Sequence, residues 1–195
     1  MFSRWIQLAF CAAVGLSGLQ ARADGSLKLY IFPSPVGINW ATPSKLAWSA
    51  VKNELASSPH ERKHSIGHAD IELRCRIPGS DEPRTIVTGM TDHGINLQRD
   101  SIFKDKIGMG VLFKDYPGAL ETREEIEAQL PKRFQQGDIV TLEFLISDST
   151  CSRLMQFHDE FRDNGSAEHY GIPNRPRYRE GAGCNAYSNA YLDLA

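Results

Sequence analysis

The sequence predicts a single α+β domain: an antiparallel sheet of about four to five strands with helices packed on it. Three observations carry that expectation. The 195 residues, 41% hydrophobic and 24% charged, suit one globular domain. Residues 69–77 alternate apolar and polar side chains strictly, the period of a half-buried strand. Other segments carry a helical apolar stripe between turn residues. No internal repeat and no second domain is visible. With 22 Lys and Arg against 24 Asp and Glu, the net charge of −2 gives no electrostatic footprint for a nucleic-acid partner.

Residues 1–23 come first. Arg4 gives a positive start, Leu8 to Leu16 a short apolar core, and Ala21-Arg22-Ala23 a small-residue cleavage site. That order is a secretory signal peptide. The apolar run is shorter than the ~20 residues of a membrane span, and bulky Phe10 before Cys11 does not fit a lipoprotein signal. A secreted or periplasmic domain is therefore expected at 24–195, with no stable membrane span. Removing 23 of 195 residues leaves 172 and takes the net charge from −2 to −4. It also removes Cys11, so 3 of the 4 cysteines remain: Cys75, Cys151 and Cys184. An odd count in an oxidising compartment implies one free thiol or an intermolecular bridge.

The mature chain opens with a strand, Leu27 to Phe32, ended by Pro33 and Pro35. Thr42-Pro43-Ser44 begins a helix with Trp48, Val51 and Leu55 on its apolar face, stopped at Ser57-Ser58-Pro59. In the strand 69–77, Ala69, Ile71, Leu73, Cys75 and Ile77 face one way, and Asp70, Glu72, Arg74 and Arg76 the other. Pro78 to Asp81 reads as a turn, and Thr85 to Thr88 as the returning strand. Ile107 to Phe113 reads as another strand. Thr122-Arg123-Glu124-Glu125 is a capping box opening a short helix to Leu130. Ile139 to Ile146 is an apolar, β-branched strand. Asp148 begins a helix with Cys151, Leu154, Phe157 and Phe161 on one stripe. Asn164 to Gly183 is rich in Gly and Pro and has no periodicity, which in a compact domain marks a functional or disordered stretch. A last helix follows Cys184, with Tyr187 and Tyr191 one turn apart. The chain stops inside that pattern, as a truncated C-terminus would.

Chemistry concentrates on Cys184 and His68. Cys75 and Cys151 lie on apolar faces, as small core residues or two halves of a disulfide. Cys184 follows Gly181-Ala182-Gly183 and opens a helix, where backbone amides and the helix dipole favour a thiolate. Its own amide is placed to donate to a developing oxyanion. A nucleophilic thiol needs a base held by a third group. His68 opens the best strand in the chain, on the same side as Asp70 and Glu72. A strand is a rigid mount for a base.

Gly67-His68-Ala69-Asp70-Ile71-Glu72-Leu73, followed far downstream by Gly181-Ala182-Gly183-Cys184-Asn185-Ala186-Tyr187-Ser188, resembles the circularly permuted branch of the NlpC-type, papain-like superfamily. Lecithin:retinol acyltransferase-like proteins belong to that branch. The resemblance covers most of residues 64–195 through two short motifs. It implies a permuted papain-like fold, with the histidine strand first and the cysteine helix last. It implies Cys184 as nucleophile and His68 as base of a cysteine hydrolase or acyltransferase. Its substrate would be a peptide or acyl compound, cell-wall peptides included. The third, orienting residue is expected on the strand after the histidine, yet residues 84–90 hold no His, Asn or Gln. Glu72 is the substitute on the histidine's own strand. A tyrosine near the cysteine often assists in the family, for which Tyr178 and Tyr170 are candidates. No cofactor and no metal enters this reading. A missing third residue would also suit a non-catalytic exported binding module on the same fold.

A rival motif is His60-Glu61-Arg62-Lys63-His64, which matches H-E-x-x-H and resembles the metzincin zinc proteases when extended to Gly67 and Asp70. Pro59 precedes it directly, charged Arg62 and Lys63 stand where such helices are apolar, and Asp70 lies in a strand. The string reads better as a basic surface loop. Arg175, Arg177 and Arg179 alternate near Cys184, either rimming a cleft that prefers an anionic group or simply solvated.

Overall fold

The computed structural model describes residues 25–57, 64–76, 82–94 and 97–195. The leader at 1–23, His60 to Lys63 and the turn at 78–81 lie outside the described residues.

The fold is α+β, with one antiparallel six-stranded sheet in the order β5-β1-β2-β3-β4-β6. The strands are β1 (Gly25–Phe32), β2 (His68–Cys75), β3 (Arg84–Asp92), β4 (Tyr116–Leu120), β5 (Val140–Ile146) and β6 (His169–Tyr170). The helices are α1 (Pro43–Ser57), α2 (Leu97–Phe103), α3 (Arg123–Gln136), α4 (Asp148–Asp163) and α5 (Cys184–Leu194). Among the described residues, no helix is long and apolar enough to cross a membrane.

Central β2 pairs with β1 and β3, setting Leu27 opposite Leu73, Tyr30 opposite Asp70 and Phe32 opposite His68. Its alternation gives the sheet two faces. Leu27, Leu29, Ile71 and Leu73 form the core with Leu154 and Phe161 of α4 and Tyr187 and Tyr191 of α5. The other face carries Phe32, His68 and Asp70; Arg133 of α3 lies 4.9 Å from the centroid of the Phe32 ring. Cys75 and Cys151 are joined in a disulfide that ties β2 to α4, with Cα atoms 5.7 Å apart.

The structure departs from the sequence expectations at several points. The strand expected at 107–113 is a 3-10 helix, Gly108–Phe113. Lys106 and Gly108 have φ of 56° and 54°, left-handed conformations that break an extended run. The strand there is instead β4, disguised by Pro117 and Gly118. A side chain at Gly118 would strike the Ala167 carbonyl at 2.8 Å, so glycine permits the close approach of the following chain. Asn164 to Gly183 is ordered, holding two 3-10 turns and β6. Finally, α1 docks through Ser49, Asn53 and Ser57, while Trp48 and Leu55 are exposed. The neighbouring loop presents bare backbone groups, and Asn53 meets them. Its Oδ1 accepts from the Val36 amide at 2.7 Å, and its Nδ2 donates to the Val36 carbonyl at 2.9 Å. Satisfying buried backbone polarity outweighs burying the apolar stripe.

α3 keeps its capping box at Thr122 and Glu125 but runs past Leu130, through Pro131, to a left-handed Gly137.

Candidate functional site

The site lies where the start of β2, the end of β4, β6 and the N-terminus of α5 converge. His68 is the first residue of β2 and is 3% exposed. Its Nε2 donates to Glu121 Oε2 at 2.5 Å and lies 2.8 Å from Asp70 Oδ1. The Asp70 contact is close in distance but outside hydrogen-bond alignment. His64 Nε2 donates to the other Glu121 oxygen, Oε1, at 3.2 Å, and its ring stacks on His68 with centroids 3.5 Å apart. Each oxygen of one buried carboxylate thus holds one imidazole. That leaves the second ring nitrogen of His68, Nδ1, for a further partner.

The partner is Cys184, whose thiol interacts electrostatically with the His68 ring and with the Tyr170 hydroxyl. Cys184 is the first residue of α5 after the uncapped Gly183, so the first amides of the helix point at its position. The Asn185 amide donates to the sulfur. Gly181 has φ of 92°, and a side chain there would meet the His169 carbonyl at 2.2 Å. Glycine therefore lets the loop press against β6 and deliver Cys184 beside Tyr170.

Electrostatics follow from these partners. Burial pushes the Cys184 thiol up, but His68, then Tyr170 and the Asn185 amide, pull it below the ordinary thiol range. Burial alone would lower His68; contacts with Asp70, Cys184 and Glu121 raise it well above the ordinary imidazole range. Desolvation raises Glu121, yet the two histidines outweigh it and hold the carboxyl well below the usual range. Desolvation keeps Asp70 high and His64 low. Burial first, and then Cys184, raise Tyr170, so its hydroxyl stays protonated as a donor. The arrangement can hold a thiolate beside an imidazolium that a carboxylate steadies.

The structure therefore brings Cys184 and His68 together, with Tyr170 in place of Tyr178. Tyr178 is 70% exposed with the Arg175 guanidinium over its ring, and Arg175 is paired to Glu180. Glu72 accepts from the Tyr30 hydroxyl, two strand positions beyond Asp70, instead of holding His68. The orienting residues on the His68 ring are Glu121 and Asp70. Glu121 stands just before a capping box and gives no periodic signal, so nothing in the sequence separates it from a solvated helix-start carboxylate. A better signal was Gly89, opposite Asp70. A side chain there would collide with Asp70 Oδ1 at 1.8 Å and crowd Glu121 Oε2 at 3.2 Å. Of the described residues, His64, His68 and Glu121 form a group able to hold a metal ion.

Comparison of the chain with models of known protein families, with curated proteins and with solved structures finds no match.

Proposed function

We propose that the protein is an exported cysteine hydrolase or acyltransferase of papain-like type, acting on an amide or ester bond. One observation carries the reading: the chain from the half-buried Cys184 thiol through buried His68 to buried Glu121. In the proposed reaction, the Cys184 thiolate attacks the carbonyl carbon, and the amides at the start of α5 stabilise the oxyanion. His68 gives its Nδ1 proton to the departing amine or alcohol, leaving an acyl-enzyme. The imidazole, neutral again, takes a proton from water or an acceptor alcohol as that oxygen attacks and releases Cys184. Glu121 and Asp70 keep the ring oriented through both steps. The A-x-A leader pattern and the Cys75–Cys151 disulfide support a secreted or periplasmic setting. A peptide or acyl substrate, such as a cell-wall peptide, fits the superfamily resemblance.

The test is acylation by p-nitrophenyl acetate, followed by mass spectrometry of the intact chain. An acetyl group on Cys184 that turns over, and is absent from Cys184→Ala, is the expected result. No acylation of the folded protein would overturn the proposal.

A further inference from the structure

His64, His68 and Glu121 form more than an orienting clamp. Their ligand atoms all lie within 4.8 Å of one another, with Glu121 3.2 Å from His64 Nε2 and 2.5 Å from His68 Nε2, close enough for the three side chains to draw in around one ion at ion–ligand distances of about 2.0–2.2 Å. Their side chains are only 13%, 1% and 0% exposed. A second observation points the same way. Asp70 is fully buried; its Oδ1 forms an ion pair with His68 Nε2 at 2.8 Å, and its Oδ2 has no hydrogen-bond partner. The single Nε2–H of His68 is shared between Glu121 and Asp70, so the cluster holds more buried acceptor oxygens than its donors satisfy. Buried carboxylates are ordinarily paired or bound to a metal.

We propose that His64, His68 and Glu121 bind one transition-metal ion of the Zn²⁺ class, with Asp70 supplying compensating negative charge, and that the ion arrests turnover. Two imidazoles and one carboxylate suit zinc and its neighbours over calcium or magnesium, which take oxygen ligands. Binding uses the Nε2 lone pairs, so the proton on each Nε2 moves to Nδ1 or leaves to water. With Nε2 held by the ion, losing the Nδ1 proton would leave the ring an anion, so His68 keeps that proton; it neither gives it to the leaving group nor offers a lone pair to the attacking water. Turnover stops. This arrest rests on the proposed function; the binding itself does not.

The experiment loads the purified protein with Zn²⁺ alone. Bound metal is counted by elemental analysis after dialysis, and affinity is read by calorimetry. One equivalent is expected. Affinity should fall about tenfold or more in His64→Ala, and in His64→Gln should the first variant fold poorly. Affinity should persist in Cys184→Ser and in His169→Ala, an exposed histidine. p-Nitrophenyl acetate turnover should fall about tenfold or more with Zn²⁺ and return with EDTA. Less than a tenth of an equivalent bound, unchanged affinity in both His64 variants, or lost affinity in Cys184→Ser would each overturn the site. Full turnover by zinc-loaded protein would overturn the arrest. Absence of turnover in metal-free buffer would count against the hydrolase reading, while the binding measurements still decide the metal site.

Discussion

Two histidines are buried in this domain to nearly the same depth, His68 at 3% exposed and His158 at 7%. Their surroundings differ. His158 sits between α4 and α5, its Nδ1 3.2 Å from the Tyr187 hydroxyl and 3.3 Å from that of Tyr191. Its closest hydrogen-bonding partners are neutral phenols, and burial pushes it down to about 4. His68 is buried deeper yet raised, because two carboxylates and a thiol face its ring. Burial therefore does not decide which imidazole is charged; the partners' charge does. One histidine lies against the phenols of a core, and the other lies between a thiol and two carboxylates. The disulfide links the strand of the first to the helix of the second.

The contrast can be broken by substitution. The largest effect on turnover is expected from His68→Gln, which should lower p-nitrophenyl acetate turnover about a hundredfold or more through loss of the proposed base. His158→Gln should leave turnover per folded molecule unchanged. Equal losses in both would erase the distinction. Next comes the disulfide, which spans a sequence separation of 76 residues. Replacing both Cys75 and Cys151 with Ala should cost about 4 kcal/mol in a denaturant titration, since a long loop is freed in the unfolded chain. A cost below about 1 kcal/mol would show that β2 and α4 hold together without it.

His158 should also reveal itself through acid. Its folded pKa lies below the unfolded value of 6.5, so the fold binds fewer protons. Stability is full above pH 6.5 and falls as pH drops from 6.5 towards 4, by about 3 kcal/mol. Thermal melts across that window should show the loss in the wild type and a flatter profile in His158→Gln. The smallest effect is expected from Glu121→Gln. The amide keeps the shape but removes the charge that steadies the imidazolium. Turnover at neutral pH should fall about tenfold, with the acid limb of the pH profile displaced. An unchanged profile would mean that Asp70 alone orients His68.

The sequence exposed those parts of the site that sit on regular elements. His68 was legible because 69–77 alternates so strictly, and Cys184 because three small residues precede a helix. Both were placed without long-range information. Glu121 and Tyr170 were harder. One directly follows a strand hidden by Pro117 and Gly118, and the other belongs to a two-residue strand inside a Gly- and Pro-rich stretch. Such strands exist through pairing with distant partners, and local propensity does not encode pairing. The misread face of α1 has a similar cause. Hydrophobic period predicts burial of Trp48 and Leu55, but the Val36 and Asn39 amides of the loop before the helix donate to Asn53 and Ser49, and these bonds set its orientation.

The central claim is that Cys184 is a thiolate because a charged His68 faces it. Iodoacetamide labelling of Cys184 across pH 4 to 10 tests it most directly. The account predicts an apparent thiol pKa well below the ~8.5 of a free cysteine, rising to about that value or above in His68→Gln. A wild-type midpoint at or above ~8.5, unchanged by the substitution, would contradict it.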